Sequence, residues 1–231
     1  MLVQFASMTI DIRPKYRYTC ELCHGYEAPE GATPDFFVQV TDEEIQREET
    51  PGGNHPVAYL ESLAIYRRIC SHALNYGAFL FHGSALCVDG QAYLFTAPSG
   101  TGKSTHARLW REMLGDRVFM VNDDKPLIHV TEQGIYVCGT PWDGKHQLST
   151  NCEVPLRAIC ILSRGEENHI VPITPKEAYA TLLSQTYRPK NPLELSRTLT
   201  LLDKTMANTA LYHLHCNMDP SAASVAYEAM K

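Results

Sequence analysis

A two-residue turn just before a glycine-rich loop is the feature that most constrains the fold. Asp89-Gly90 separates two apolar segments, residues 86–88 and 91–95, in the pattern of a tight β-hairpin. The strand that enters the loop at residues 97–105 is therefore predicted to run antiparallel to the strand before it. A doubly wound fold separates parallel strands with helices, so this chain is predicted to form a mixed sheet instead.

Two further pairs of apolar segments follow, each divided by a polar turn. They are residues 127–130 with 135–138, and residues 158–162 with 169–173. Strand-like pieces also lie at residues 2–12 and 36–40. We therefore expect a mixed, largely antiparallel sheet with the glycine-rich loop embedded in it and helices at its sides. This pattern places the chain in the α/β class, leaning toward α+β.

Helices are predicted from apolar spacing and from capping residues. Residues 57–74 carry apolar side chains at helical spacing, and the amphipathic residues 105–114 are followed by Gly115, which favours a helix end. Three later helix starts share a capping residue followed by proline: Thr174-Pro175, Asn191-Pro192 and Asp219-Pro220. A strand at residues 211–216 is expected between the last two helices. The chain is thus predicted to consist of strands with a single embedded helix at residues 105–114, followed mostly by helices from residue 174 onward.

Length and composition restrict the organisation of the chain. With 231 residues, 44% of them hydrophobic, one domain over residues 1–231 is expected, with residues 1–55 as a β-rich N-terminal elaboration. A net charge of −6 without a dense Lys/Arg block argues against nucleic acid as a partner. Neither export nor membrane insertion is expected, and cysteines in apolar patterns predict a cytoplasmic location. The oligomeric state, including a homo-oligomer, stays open.

The loop at residues 97–105 reads APSGTGKST. Gly100 and Gly102 allow the backbone to turn its N–H groups toward an anion, and the following helix adds its positive end. Lys103 is expected to neutralise the outer phosphates of a nucleoside triphosphate, and Ser104 to hold a magnesium ion. The predicted nucleotide-binding residues are Ser99, Gly100, Thr101, Gly102, Lys103, Ser104 and Thr105.

Two adjacent carboxylates, Asp123 and Asp124, follow the apolar run at residues 118–121. Acidic side chains that leave a buried strand need cations nearby. Magnesium bound with a nucleotide would satisfy one carboxylate, and the other would accept a proton from an attacking hydroxyl. The simpler alternative is a surface turn over residues 122–126. His82, in the loop before the hairpin, is either a neighbour of the terminal phosphate or structural.

The order of these features resembles the catalytic domain of the HPr kinase/phosphorylase family, whose fold is shared with phosphoenolpyruvate carboxykinase. The resemblance covers roughly residues 82–124 and consists of a His-Gly pair, a hairpin, a glycine-rich loop, a short helix and an Asp-Asp pair. It implies ATP and Mg²⁺ as cofactors, with Lys103 contacting phosphate. It further implies that Asp123 is the general base, that Asp124 joins Ser104 on the metal side, and that His82 lies beside the two carboxylates.

The chain also departs from that family. Thr105 stands where relatives that phosphorylate HPr carry an acidic residue, and their arginine-containing, glutamate-rich segment is absent. The predicted acceptor is therefore a peptide or protein serine other than HPr, with a small hydroxyl compound as a close second. Two alternatives are a nucleotide-binding regulatory ATPase and a carboxykinase-like phosphotransferase. The latter would need arginines around its pocket, for which Arg157, Arg164 and Arg188 are available.

Two other segments carry weaker signals. In residues 139–146, Lys145 would contact a phosphate and Trp142 would stack on a ligand ring. The alternative is an ordinary connection in which Trp142 anchors the chain to the core. Residues 20–24 read CELCH, which resembles half of a zinc site. Because no second pair of ligands follows, free thiols are predicted there.

Overall fold

Two β-sheets and seven α-helices make up the fold in the computed structural model, which describes residues 1–231. The strands are β1 (Leu2–Phe5), β2 (Met8–Ile12), β3 (Phe36–Val38), β4 (Ala78–Leu80), β5 (Ser84–Val88), β6 (Gln91–Thr96), β7 (Val118–Asn122), β8 (Leu127–Val130), β9 (Ile135–Cys138), β10 (Glu153–Arg164), β11 (His169–Pro172) and β12 (Ala210–Cys216). The helices are α1 (Arg17–Leu22), α2 (Asp42–Gln46), α3 (Val57–Ala73), α4 (Lys103–Leu114), α5 (Pro175–Gln185), α6 (Pro192–Ala207) and α7 (Ser221–Met230). No helix combines the length and the hydrophobicity of a membrane-spanning segment.

The larger sheet is mixed and has nine strands. Its path runs β4-β8-β9-β10-β6-β5-β7, with β12 beside β10 and β11 beside β12. Every pairing in it is antiparallel except those of β10 with β6 and with β12, which are parallel. The smaller sheet has the order β1-β2-β3. The predicted mixed, largely antiparallel sheet with flanking helices is confirmed.

The hairpin before the glycine-rich loop is confirmed. β5 and β6 are antiparallel, with Val88 opposite Gln91. Asp89 and Gly90 both have positive φ, 49° and 81°. This is the backbone that a two-residue primed turn requires, and glycine adopts it without steric cost. Because β5 also pairs with β7, the hairpin places the end of β7 close to the loop that follows β6.

One predicted strand pair is wrong. The pattern of residues 158–162 and 169–173 predicted neighbouring strands, but β12 lies between β10 and β11. β10 is buried over most of its length and accepts a parallel neighbour on each side. β11 has no fully buried residue and suits the edge of the sheet. The turn between these segments could not reveal that a strand from the far end of the chain inserts there.

The helix predictions are confirmed, with small shifts at the ends. α3 ends at Ala73, and α4 begins at Lys103 rather than at residue 105. α5 has a full capping box: the Glu177 N–H donates to Thr174 Oγ1 at 3.3 Å, and the Thr174 N–H donates to Glu177 Oε2 at 2.7 Å. α6 starts after Asn191, whose side chain accepts two backbone N–H groups.

Hydrophobic side chains form three clusters around the larger sheet. On β10, Cys160 packs in the cluster that contains α4 and α7, whereas Ile159 packs in the cluster that contains α5 and α6. The two faces of this strand are thus covered by different helix pairs. A third cluster joins β1, β2 and α3 to Leu127 and Trp142. The N-terminal sheet therefore packs on the rest of the protein partly through α3.

We expect His106 to make the stability of the protein sensitive to pH. It is 3% exposed in α4, and Trp110 Nε1 donates a hydrogen bond to its Nε2 at 3.0 Å. Burial lowers the pKa of His106 from 6.5 to about 4. As the pH falls through this interval the unfolded chain takes up the proton first, so the folded state loses stability.

We expect the free energy of unfolding to fall by about 3 kcal/mol between pH 7 and pH 4 because of this residue. The loss begins near the unfolded pKa and levels off below the folded one. His106→Gln keeps an acceptor for Trp110 but does not titrate, so its urea-unfolding free energy should fall less over the same range. Equal pH dependence in the two proteins would mean that His106 is not the group responsible.

Candidate functional site

Nearly all the predicted site residues surround one cavity of about 670 Å³. The segments that line it include the loops after β6, β7 and β9 and parts of α1 and α3. The predicted residues in its wall are His82, Ser99, Gly100, Gly102, Lys103, Ser104, Thr105, Asp123, Asp124 and Lys145. Thr101 is the one member of the predicted set that does not line the cavity. The structure thus brings these residues together, while their roles stay predictions.

The glycine-rich loop joins the buried strand β6 to α4. Gly100 has φ 78° and Gly102 has φ 119°, a region that is strained for residues with a side chain. Gly102 is the N-cap of α4, and the first residues of this helix line the cavity. A helix N-terminus has free N–H groups and a positive partial charge, so this wall of the cavity favours an anion.

Lys103 lies between the loop and the carboxylates. Its side chain is largely buried, and its Nζ donates a hydrogen bond to the carbonyl oxygen of Ala97 at 2.9 Å. Burial lowers the pKa of Lys103, and the negative charges of Asp124 and Asp123 oppose that shift. A partly dehydrated ammonium group interacts more strongly with a nearby anion than one in water does. Lys103 is therefore placed to contact an anion held by the loop.

The two carboxylates have different surroundings. Asp123 is 7% exposed, and Ser84 Oγ donates a hydrogen bond to its Oδ1 at 2.6 Å. Asp124 Oδ1 lies 3.4 Å from His82 Nε2, and Lys125 Nζ donates to Asp124 Oδ2. Burial raises the pKa of Asp124, but the hydrogen bond from His82 and the charge of Lys125 outweigh it and bring the pKa to about 2. Asp124 is thus a firmly ionised carboxylate and a weak proton acceptor.

Asn122 fixes the backbone turn that carries both carboxylates. It is fully buried, and its Oδ1 accepts the N–H groups of Asp124 at 2.9 Å and Lys125 at 2.8 Å. Its Nδ2 donates to the carbonyl oxygen of Thr140 at 3.0 Å. With Asn122 and Asp123 both buried, the alternative of an exposed surface turn over residues 122–126 is wrong. Such an Asn-centred turn holds the two carboxylates in a defined direction.

The loop after β9 borders the same cavity. Trp142 is buried, stacks on Tyr66 with ring centroids 4.2 Å apart, and donates from Nε1 to the carbonyl oxygen of Ser62 at 3.0 Å. Trp142 therefore anchors this loop to the core, and one face of its ring is already covered. Lys145 follows in a short helical turn at the cavity. At Gly144, an added side chain would come within 2.9 Å of Asp124 Cβ, so this loop packs closely against the carboxylates.

Several cavity residues were not predicted from the sequence. Lys125 and Asp143 stand beside predicted residues, so their positions in the chain were a usable signal. Burial raises the pKa of Asp143, which accepts a hydrogen bond from Ser149 Oγ at 2.9 Å. Tyr18 and Tyr59 belong to α1 and α3, with ring centroids 6.3 Å apart. No local pattern marks these two tyrosines, because only the tertiary fold brings them to the cavity.

The three arginines considered for a carboxykinase-like pocket do not line the cavity. Arg157 and Arg188 donate to backbone oxygens of Lys231 and Leu183. Arg164 donates to the carbonyl oxygen of Gly100 at 2.8 Å, which braces the glycine-rich loop from outside. The arrangement required by that alternative is therefore not present.

The protein thus combines a mixed α/β fold with a cavity that lies between a glycine-rich loop and two carboxylates. The sequence pattern of the family described as SynChlorMet cassette protein ScmC matches residues 51–207. This match covers more than half of the chain, and the protein therefore belongs to the ScmC family. The matched region contains the glycine-rich loop, His82 and both carboxylates.

Comparisons with curated proteins and with solved structures do not extend this family assignment. No curated protein matches this chain. Among solved structures, the Hpr(Ser) kinase/phosphatase from Coxiella burnetii is similar at 15% identity, with a TM-score of 0.35, over 65% of this chain and 95% of that chain. A likeness of this size supports no conclusion about the fold or the activity of this protein.

Proposed function

We propose that this protein is an ATP-dependent kinase that transfers the γ-phosphoryl group to a hydroxyl acceptor in an HPr kinase-like reaction. The observation that carries the proposal is the placement of Lys103, Asp123 and Asp124 in one cavity with the N-terminus of α4. Phosphoryl transfer depends mainly on positioning and on neutralisation of negative charge. The cavity offers both, together with a carboxylate for the proton of the acceptor.

The donor groups fit ATP and magnesium. The backbone N–H groups of the loop residues that line the cavity and the ammonium group of Lys103 suit a polyphosphate, with Lys145 as a further phosphate contact. Ser104 offers a hydroxyl and Asp124 an ionised carboxylate, the oxygen ligands that magnesium prefers. When bound, the magnesium ion neutralises charge on the terminal phosphates. Ser104 and Asp124 are the proposed metal ligands.

Asp123 is the proposed general base. Its Oδ1 accepts from Ser84, whereas its Oδ2 makes no hydrogen bond within the protein. Oδ2 would accept the proton of the acceptor hydroxyl as its oxygen bonds to phosphorus and ADP leaves. His82 would hold Asp124 in place through the contact at 3.4 Å. The low pKa of Asp124 supports the assignment of Asp124 to the metal and Asp123 to the proton. A weakly basic carboxylate is better suited to bind a metal ion than to accept a proton.

A peptide or protein serine is the proposed acceptor, in preference to a small hydroxyl compound. The cavity also has Tyr18, Tyr59 and Leu63 in its wall, so it offers apolar contacts beyond those needed for phosphates. Such contacts suit the residues on either side of an acceptor serine. HPr itself is not proposed, because Thr105 replaces the acidic residue of its kinases.

Incubation of the purified protein with γ-labelled ATP, Mg²⁺ and a peptide-containing extract tests the proposal. We expect label on a peptide or protein serine, with none in the Lys103→Ala variant and normal labelling in the Lys176→Ala variant. Lys176 is an exposed lysine of α5 that does not line the cavity, so it controls for loss of a lysine. Release of labelled phosphate without any labelled acceptor would instead indicate a regulatory ATPase. Label on a small carboxylic acid would indicate a carboxykinase-like enzyme.

A further inference from the structure

A second group of ligand side chains lies outside the cavity. It consists of His129 on β8, Cys138 at the end of β9 and Glu153 at the start of β10. One ligand atom from each residue lies within 4.8 Å of the other two. None of the three residues lines the cavity described above. The proposed kinase reaction therefore leaves this cluster unexplained.

The sheet register fixes the three side chains on one face. Cys138 stands opposite Leu127 on β8 and opposite Glu153 on β10. His129 is two residues from Leu127, and residues two apart on a strand point to the same side. The cluster is thus set by the backbone of three adjacent strands, and it does not depend on flexible loops.

The cluster also contacts the N-terminal hairpin. His129 Nδ1 lies 2.6 Å from Glu153 Oε1, and Ser7 Oγ donates to Glu153 Oε2 at 2.9 Å. Ser7 and Ala6 form the turn between β1 and β2 and have positive φ, 57° and 49°. Residues other than glycine, asparagine and aspartate seldom adopt this conformation. The hydrogen bond to Glu153 holds this strained turn against the larger sheet.

We propose that His129, Cys138 and Glu153 bind one zinc ion. Imidazole nitrogen, thiolate sulfur and carboxylate oxygen are the three kinds of protein ligand that zinc uses. Zinc bonds of about 2.0–2.3 Å place ligand atoms roughly 3.3–3.8 Å apart, which small side-chain rotations reach from the observed spacing. The ion takes the place of the hydrogen bond between His129 and Glu153, and the thiol of Cys138 releases its proton.

Burial and charge at the cluster agree with a cation there. Cys138 is fully buried, and the pKa of its thiol is raised by burial and by the negative charge of Glu153. A divalent ion supplies the positive charge that a buried thiolate otherwise lacks. A thiolate in the ligand set disfavours Mg²⁺ and Ca²⁺ and favours zinc. Ser7 orients the ligand Glu153, as outer hydrogen-bond partners do in zinc sites. Glu153 is partly exposed, so a water molecule would be able to supply the fourth ligand.

Metal uptake by the protein tests this proposal. After treatment with a chelator, the protein is titrated with Co²⁺ and then with Zn²⁺. We expect about one ion per chain, a near-ultraviolet charge-transfer band from thiolate to cobalt, and loss of that band when zinc is added. The band separates this site from cobalt held by oxygen ligands at Asp123 and Asp124, which gives none.

Variants locate the metal. Glu153→Gln keeps a hydrogen-bond acceptor for Ser7, and the position is partly exposed, so the variant should fold. It should weaken zinc binding by roughly tenfold or more. Cys138→Ala should abolish the band, while Cys160→Ala, at another buried cysteine, should retain it. Absence of the band in the wild-type protein would overturn the proposal. A band that survives both Glu153→Gln and Cys138→Ala but is lost in Cys20→Ser would also overturn it. The metal would then lie at residues 20–24.

Discussion

Replacement of Lys103 by alanine should lower the rate of ATP-dependent phosphoryl transfer by about 10²–10³-fold or more. The side chain supplies a partly buried positive charge beside the glycine-rich loop, and no other lysine in the wall is held against that loop. Within the protein, Nζ bonds only to the carbonyl oxygen of Ala97, so its removal should leave the fold intact. Initial rates with labelled ATP measure the effect, and the thermal midpoint checks folding.

Lys176→Ala is the matched control for this experiment, because it removes an exposed lysine outside the cavity. It should keep the wild-type rate. If Lys103→Ala also kept the wild-type rate, the cavity would not be the site of phosphoryl transfer. If only the apparent affinity for ATP fell, Lys103 would serve binding of the nucleotide rather than stabilisation of the transition state.

Asp123→Asn should leave the affinity for Mg·ATP largely unchanged while lowering the transfer rate by about 10²–10⁴-fold. Asparagine keeps an oxygen that accepts the hydrogen bond from Ser84, but it cannot take the proton of the acceptor. Nucleotide titration and single-turnover transfer, measured on the same preparation, separate these two effects. Full transfer activity in Asp123→Asn would show that this carboxylate is not the base.

Asp124→Asn provides the contrast. Asp124 is the proposed metal-side carboxylate, so its loss should raise the magnesium concentration needed for half-maximal activity. Asp123→Asn should not change that requirement. The same magnesium dependence in both variants would mean that the two carboxylates do not have separate roles.

Local signals in the sequence predicted much of the fold near the site. The turn at Asp89-Gly90 is determined by the positive φ of two residues, so its sequence alone identified the hairpin. The starts of α5 and α6 are likewise set by side chains that bond to backbone only a few residues away. The glycine-rich loop and the two carboxylates could be found because each is a contiguous motif.

Long-range features could not be found in this way. β12 inserts beside β10 although the two are far apart in the chain, and no turn between them signals the pairing. Trp142 is tied to the core by Tyr66, and the surroundings of Asn122 are completed by Thr140. The proposed zinc ligands come from three strands whose side chains meet only through the register of the sheet. In each case tertiary packing determines the contact, and the spacing of residues in the sequence does not indicate it.

Calorimetric titration of the wild-type protein with Mg·ATP tests the central claim most directly, because it needs no knowledge of the acceptor. The account predicts a saturable heat that fits one nucleotide per chain and that is lost or strongly reduced in Lys103→Ala. If neither Mg·ATP nor Mg·GTP gave any heat with the folded wild-type protein, that result would contradict the claim.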